Sequence, residues 1–169
     1  MANIKALVVF LGLTILTCCE KEDRISLEDQ KLYFEFRYIN YAWGFQYLHW
    51  VIDYQGKVLL NTTNNSIITI SANDIRYGNA CFDSVIYKVD PKELDHYINL
   101  LPSASKGRIR CEDRHRADFG GNEFNAFYRD RTVLLSSMSD IQDCTNRNNK
   151  AAEIDRWLKD LHNTIFSNK

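Results

Sequence analysis

The sequence predicts an α+β fold, an antiparallel sheet with two helices packed on one face. Strand patterns occur in groups joined by short turns, an amphipathic helix follows each of two such groups, and no regular strand–helix–strand alternation runs along the chain. A chain of 169 residues with 45% hydrophobic and 25% charged side chains is long enough for one hydrophobic core. We therefore expect a single domain over residues 32–169 with roughly six to seven strands.

The first strands show the period of two that a half-buried sheet requires. Aromatic residues alternate with charged ones from residue 34 to residue 38, and a hairpin follows over 41–63. Its turn lies at Gln55 and Gly56. Two further short strands are predicted at 67–70 and 84–89, where β-branched residues are enriched. This half of the sheet is therefore expected to be rich in hairpins.

The first helix has clear start and stop signals. Asp90 suits the N-cap, Pro91 the first helical position and Glu93 the acidic position of a capping box. Pro102 marks the predicted end. The residues that repeat at helical spacing, and so form the apolar stripe, are Leu94, Tyr97, Ile98 and Leu101.

Three more strands and a last helix complete the predicted fold. The strands at 108–118, 123–129 and 132–138 are joined by short polar turns, so we expect an antiparallel meander. The last helix runs from about residue 150 to residue 166. Its apolar stripe, which predicts packing on the sheet, consists of Ile154, Trp157, Leu158, Leu161 and Ile165.

Residues 1–18 have the pattern of a signal peptide. One early positive charge at Lys5 precedes an uncharged, mostly apolar run that ends at Cys19. The run is short for a transmembrane helix and has no positively charged flank behind it. We therefore predict export from the cytoplasm.

The end of this segment, Leu16-Thr17-Cys18-Cys19, resembles the lipobox of bacterial lipoproteins. The resemblance implies a cut after Cys18 and acylation of Cys19, with Cys18 as the alternative acceptor. The chemistry needs a thiol that is nucleophilic enough to form a thioether, and two or three acyl chains then anchor a protein stably. The implied location is the outer membrane of the cell envelope, on its periplasmic or surface-exposed side.

An acidic cluster, Glu20-Lys21-Glu22-Asp23, follows the cysteine pair. It resembles the short export signal that sends some Gram-negative lipoproteins to the cell surface. The alternative is a solvated tether that holds the domain away from the lipid headgroups. In either case residues 19–31 are expected to link the anchor to the folded domain.

Three cysteines remain for the domain itself: Cys81, Cys111 and Cys144. A disulfide is allowed outside the cytoplasm, so we expect one pair and one free thiol. Which two cysteines pair is left open by the sequence.

Two stretches are candidate binding surfaces. The aromatic residues of the first are Tyr41, Trp43, Phe45 and Tyr47. These residues have odd numbers, whereas Leu48, Trp50 and Ile52 have even numbers, so the two sets point to opposite faces of a strand. One set is therefore exposed unless a bulge at Gly44 shifts the alternation and buries both. The alternative interpretation is that these aromatic residues form core.

The second candidate surface is a row of arginines on one strand face, formed by Arg108, Arg110, Arg114 and Arg116. Guanidinium groups in a row bind carboxylates, phosphates or an acidic protein surface. The alternative is a solvated edge strand whose charges are balanced by acids on a neighbouring strand, such as Glu123.

No motif for catalysis, phosphate binding or zinc binding occurs, and the net charge of −1 gives no reason to expect nucleic acid as a partner. We expect no metal and no cofactor. The leading hypothesis is a lipid-anchored binding module with a protein partner, either an immunity or inhibitor protein or an accessory subunit of an envelope complex. The alternative is an envelope hydrolase whose Asp, Glu or His residues are brought together by folding.

The lipobox assignment predicts opposite effects for the two adjacent cysteines. Cys19→Ala is expected to abolish incorporation of labelled palmitate and to leave unprocessed precursor, because the acceptor thiol is lost. Cys18→Ala should keep labelling and processing. The reverse pattern would move the acceptor to Cys18.

Overall fold

An eight-stranded antiparallel sheet forms the centre of the protein. The computed structural model describes residues 30–42, 44–63 and 67–166. The strands are β1 (Leu32–Asn40), β2 (Gln46–Asp53), β3 (Lys57–Asn61), β4 (Phe82–Lys88), β5 (Ile109–Asp113), β6 (Gly121–Tyr128), β7 (Arg131–Met138) and β8 (Gln142–Asn146). Their order across the sheet is β4-β3-β2-β1-β6-β7-β8-β5. The α+β class and the antiparallel sheet are therefore confirmed, whereas the expected strand number was too low.

The predicted meander is wrong in its first strand, because β5 pairs with β8 and does not neighbour β6. One predicted strand is absent, and β8 was not predicted. The stretch 67–70 is not a strand; Ile68 and Ile70 instead pack against the sheet. The sequence of β8, in contrast, lacks apolar alternation, and its strand form comes from pairing with β7 and β5. The β-branched composition of 67–70 thus did not make it a strand, because a segment joins the sheet only where it pairs with a neighbouring strand.

Four helices are described: α1 (Ala72–Tyr77), α2 (Pro91–Ile98), α3 (Leu101–Ala104) and α4 (Asn149–Phe166). The carboxylate of Asp90 accepts from the backbone N–H groups of Lys92 and Glu93, and so caps α2 as its sequence predicts. Pro102 does not stop the chain's helical path but lies in the first turn of α3, where its missing N–H costs nothing. None of the helices in the described ranges is long and apolar enough to cross a membrane.

The sheet buries apolar side chains on both of its faces. On one side, which we call the helix face, Phe34, Trp50 and Ile52 pack in a single core with residues of α2, α3 and α4. On the other side, which we call the outer face, Val51 packs with Ile75 of α1 in a smaller core. Burial on both faces explains why Trp50, Val51 and Ile52 of β2 are consecutive apolar residues.

A disulfide joins the outermost strand β5 to β8. Cys111 and Cys144 are directly opposite each other in the ladder, with their Cα atoms 4.0 Å apart, and Cys81 is free and half-buried. All five residues of β5 are exposed, so little apolar burial holds this strand in place. The covalent link therefore fastens an edge that packing alone holds weakly.

Reduction of this disulfide is expected to lower the free energy of unfolding. The bond spans 33 residues, and closing a loop of this size stabilises a protein by about 2–4 kcal/mol. Denaturant unfolding with and without reductant measures the effect. Cys81→Ser is the control and should shift stability by less than about 1 kcal/mol. Equal midpoints in both redox states would contradict the prediction.

Candidate functional site

Aromatic side chains are exposed where the chain passes from β1 to β2. Tyr41 is 65% exposed and Phe45 is 45% exposed. The ring of Phe45 lies 5.6 Å from that of Tyr41 and 6.0 Å from that of Tyr47, measured between centroids. We call Tyr41, Phe45 and Tyr47 the aromatic surface. Trp43, the fourth residue of the predicted set, lies outside the described residues.

Gly44 determines how these rings are presented. It lies between the strands, with φ of +95°, a conformation that side chains with a Cβ rarely adopt. It therefore does not act as a bulge within a strand that would bury the neighbouring aromatic residues. The bend leaves Tyr41 and Phe45 exposed, while Leu48 and Trp50 of β2 join the core on the helix face.

The innermost ring of the aromatic surface is fixed by a chain of hydrogen bonds into the protein. The Tyr47 hydroxyl lies 2.6 Å from Nδ1 of His49, and Nε2 of His49 lies 2.7 Å from Oε1 of Glu35. Asn125 donates from Nδ2 to the other carboxylate oxygen of Glu35 at 2.9 Å. We call Tyr47, His49, Glu35 and Asn125 the buried relay.

A neutral His49 allows the following arrangement of protons in the buried relay, in which the backbone oxygen of Ile68, 3.5 Å from the Tyr47 hydroxyl, is the alternative acceptor. The Tyr47 oxygen accepts from the backbone N–H of Ile68 at 3.0 Å, so its own proton is free to go to Nδ1 of His49. The proton of a neutral His49 then lies on Nε2 and is donated to Glu35. Burial raises the pKa of Tyr47, which keeps the phenol protonated. The relay therefore pairs each of its buried polar groups.

Sequence reasoning missed this relay although it noticed all the strands that carry it. Glu35 and His49 are 4% and 1% exposed, and both project onto the outer face. They meet because Arg37 pairs with His49 in the β1–β2 ladder, which places Glu35 diagonally across from the imidazole. Polar residues at alternate strand positions are visible in the sequence. Which side chains they contact across the sheet depends on the strand register.

A cleft of about 710 Å³ adjoins the aromatic surface on the outer face. Tyr41 lines one side, Cys144 of the disulfide lines another, and the Arg37–Glu123 ion pair lies in the lining with an N–O distance of 2.6 Å. Asp140 lines the cleft as well, and its carboxylate accepts from the backbone N–H groups of Phe119 and Gly120. The cleft is thus concave, has a few polar and charged groups in a mostly apolar lining, and is bordered by an exposed aromatic ring.

The arginine row is less extensive than its sequence pattern predicts. β5 ends at Asp113, so Arg114 and Arg116 follow the strand and Arg108 precedes it. Glu112 lies 3.7 Å from Arg110 and 3.4 Å from Arg114. The acids that balance the row are therefore Glu112 and, from β8, Asp143.

Asp143 binds the last arginine of the row through both carboxylate oxygens. The two N–O distances to Arg116 are 2.6 and 2.7 Å, and the guanidinium hydrogen bond lowers the pKa of the Asp143 carboxyl. The same pair raises the pKa of Arg116. Within the described part of the chain Arg108 alone of the four has no ion pair. Two carboxylates thus pair with three of the four arginines, and Glu123, the acid expected to balance the row, pairs with Arg37 instead.

No cluster of three or more His, Cys, Asp or Glu side chains suited to a metal ion occurs among the residues that the structure describes. The chain matches no model of a known protein family, no curated protein and no solved structure.

Substitution of His49, the central residue of the buried relay, is expected to lower the free energy of unfolding. His49→Phe keeps the ring volume but leaves the Glu35 carboxylate and the Tyr47 hydroxyl each short of a partner. An unpaired buried polar group of this kind lowers the free energy of unfolding by about 2–4 kcal/mol. His115→Phe, at an exposed histidine, should change it by less than about 0.5 kcal/mol. Urea unfolding of both variants distinguishes a structural relay from an incidental contact.

Proposed function

We propose that the protein is a lipid-anchored envelope protein that binds another protein through the aromatic surface and the adjoining cleft. The observation that carries the proposal is the exposure of Tyr41 and Phe45 on a ring stack whose base is fixed by the buried relay. Exposed aromatic residues that are held in place lose little conformational freedom on binding, and aromatic residues dominate binding energy at interfaces.

The cleft offers a partner polar and charged groups within a mostly apolar lining beside the aromatic contact. Its lining offers a guanidinium group, carboxylates and backbone groups near Gly120 and Gly121. Interfaces commonly combine such a polar region with an apolar anchor. Within this class we propose either an immunity or inhibitor protein that blocks an incoming toxin or hydrolase, or an accessory subunit of an envelope complex.

Anchoring through Cys19 would keep this surface close to the membrane. The folded domain begins by Gln30, whose side-chain amide donates to the backbone oxygens of Leu32 and Phe127. Ten residues separate Cys19 from Gln30, so a fully extended link would reach roughly 40 Å at most. A partner that meets the aromatic surface would therefore meet it at the envelope.

A hydrolase is the alternative, and the buried relay is the observation that favours it. A hydroxyl, an imidazole and a carboxylate in sequence form the arrangement that activates a nucleophile. Against it, His49 and Glu35 are buried, and the raised pKa of Tyr47 makes the phenol a poor nucleophile near neutral pH. We therefore favour the binding module.

Partner capture from the native envelope tests the proposal. The acylated protein and the double variant Tyr41→Ala/Phe45→Ala are each used as bait, and the bound proteins are identified by mass spectrometry. Loss of two anchoring aromatic side chains should reduce recovery of a true partner by about tenfold or more. The matched control is Tyr77→Ala, because Tyr77 is 71% exposed on α1.

The outcomes separate the two functions. A partner retained by Tyr77→Ala and lost by the double variant supports the binding module. A partner recovered equally by all three baits would place the interface elsewhere. Turnover of an envelope substrate by the wild type, abolished in a His49→Phe variant that urea unfolding shows to be folded, would favour the hydrolase instead.

A further inference from the structure

A separate cavity lies on the helix face of the sheet, near the end of α4. Its volume is about 460 Å³, which falls within the range of small-molecule sites. The lining residues are Phe36, Tyr38, Leu48, Asn122, Phe124, Lys159, His162 and Asn163. None of them belongs to the aromatic surface or the buried relay, and Asn122 is the one that also lines the cleft.

Aromatic rings in fixed positions form much of the cavity lining. The Phe36 ring lies 4.8 Å from that of Phe124 and 4.3 Å from the imidazole of His162, measured between centroids. Behind it, Trp50 is fully buried and stacks on Phe36 at 5.6 Å. Phe36 and Phe124 are each 4% exposed, so a small part of each ring reaches the cavity, and a planar aromatic ligand would contact these parts offset or edge-on.

His162 contributes a hydrogen-bond donor to this lining. The indole N–H of Trp50 donates to Nδ1 of His162 at 3.3 Å, and an indole nitrogen can only donate. Nδ1 is therefore the acceptor, and the proton of the neutral imidazole lies on Nε2. Burial lowers the pKa of His162 and so favours this neutral form. Among the described residues nothing accepts from the Nε2–H group.

Lys159 supplies a positive charge one helical turn away. Its ammonium group lies 2.7 Å from Asp155 and 5.6 Å from the centre of the Phe124 ring, so it has donors left for a ligand. Residues three apart on a helix are neighbours, which allows one small anion to reach both Lys159 and His162. The lining residues include this cation and no carboxylate.

We propose that this cavity binds a small planar aromatic carboxylate. Its ring would lie against Phe36 and Phe124, and its carboxylate would accept from Nε2–H of His162 and from the ammonium group of Lys159. The ring geometry selects for planarity, and the donor pair selects for an anion.

Calorimetric titration of the full-length chain, purified as the cell processes it and held in lipid nanodiscs, tests the proposal. Naphthoate is the probe, and empty nanodiscs give the background. The saturated analogue decahydronaphthoate tests the need for an aromatic ring, and naphthylmethylammonium tests the need for an anion. We expect naphthoate to bind at least about tenfold more tightly than either analogue.

Variants locate the site. His162→Phe keeps the ring and removes the donor, and should weaken naphthoate binding by about tenfold. His96→Phe, at an exposed histidine on α2, should leave binding unchanged. Leu48→Trp starts from a half-buried residue of the lining and should block binding by filling the cavity; thermal unfolding checks that each variant is folded.

Four results would overturn the proposal. One is the absence of heat above the empty-nanodisc background at millimolar naphthoate. Another is equal or tighter binding of the saturated or the cationic analogue. The other two are unchanged affinity in folded His162→Phe and unchanged affinity in folded Leu48→Trp. Tight binding that is sensitive to both variants and indifferent to His96→Phe supports it.

Discussion

The pairing of β1 with β2 on one side and with β6 on the other is the constraint on which the rest of the structure depends. Phe36 lies opposite Trp50 in one ladder and opposite Phe124 in the other, so three aromatic rings meet on the helix face. The same registers bring Glu35 to Asn125 and to His49 on the outer face. A slip of one residue would reverse both faces of β1, which makes alternative registers very unfavourable.

Different interactions stabilise the two edge strands of the sheet, β4 and β5. β4 at one edge packs Phe82 into the smaller core and continues close to the cap of α2. β5 at the other edge has no buried residue and is fastened by the Cys111–Cys144 disulfide and by charge pairs around Glu112 and Asp143. Three of the four arginines that the sequence presents as a binding row are therefore engaged in ion pairs along this exposed edge.

The parts of the fold that follow from local rules were predictable, and those that follow from pairing were not. β1 and α2 were predicted because alternation and the cap at Asp90 are encoded within a few residues. β8 was not, because a strand of mostly polar residues carries no periodic apolar signal. Likewise, exposure of Tyr41 and Phe45 depends on the backbone at Gly44, and the Glu35–His49 contact depends on the register.

Alternation along β2 places adjacent residues in different sites. Tyr47 and His49 belong to the outer face, whereas Leu48 and Trp50 belong to the helix face and its cavity. A partner on the outer face and a ligand in the cavity would therefore contact opposite sides of one strand, which pairs with β1 along its length and with β3 at residues 50–52. Because such a strand resists displacement, the two sites should act independently, and each can be altered by substitution without removing the other.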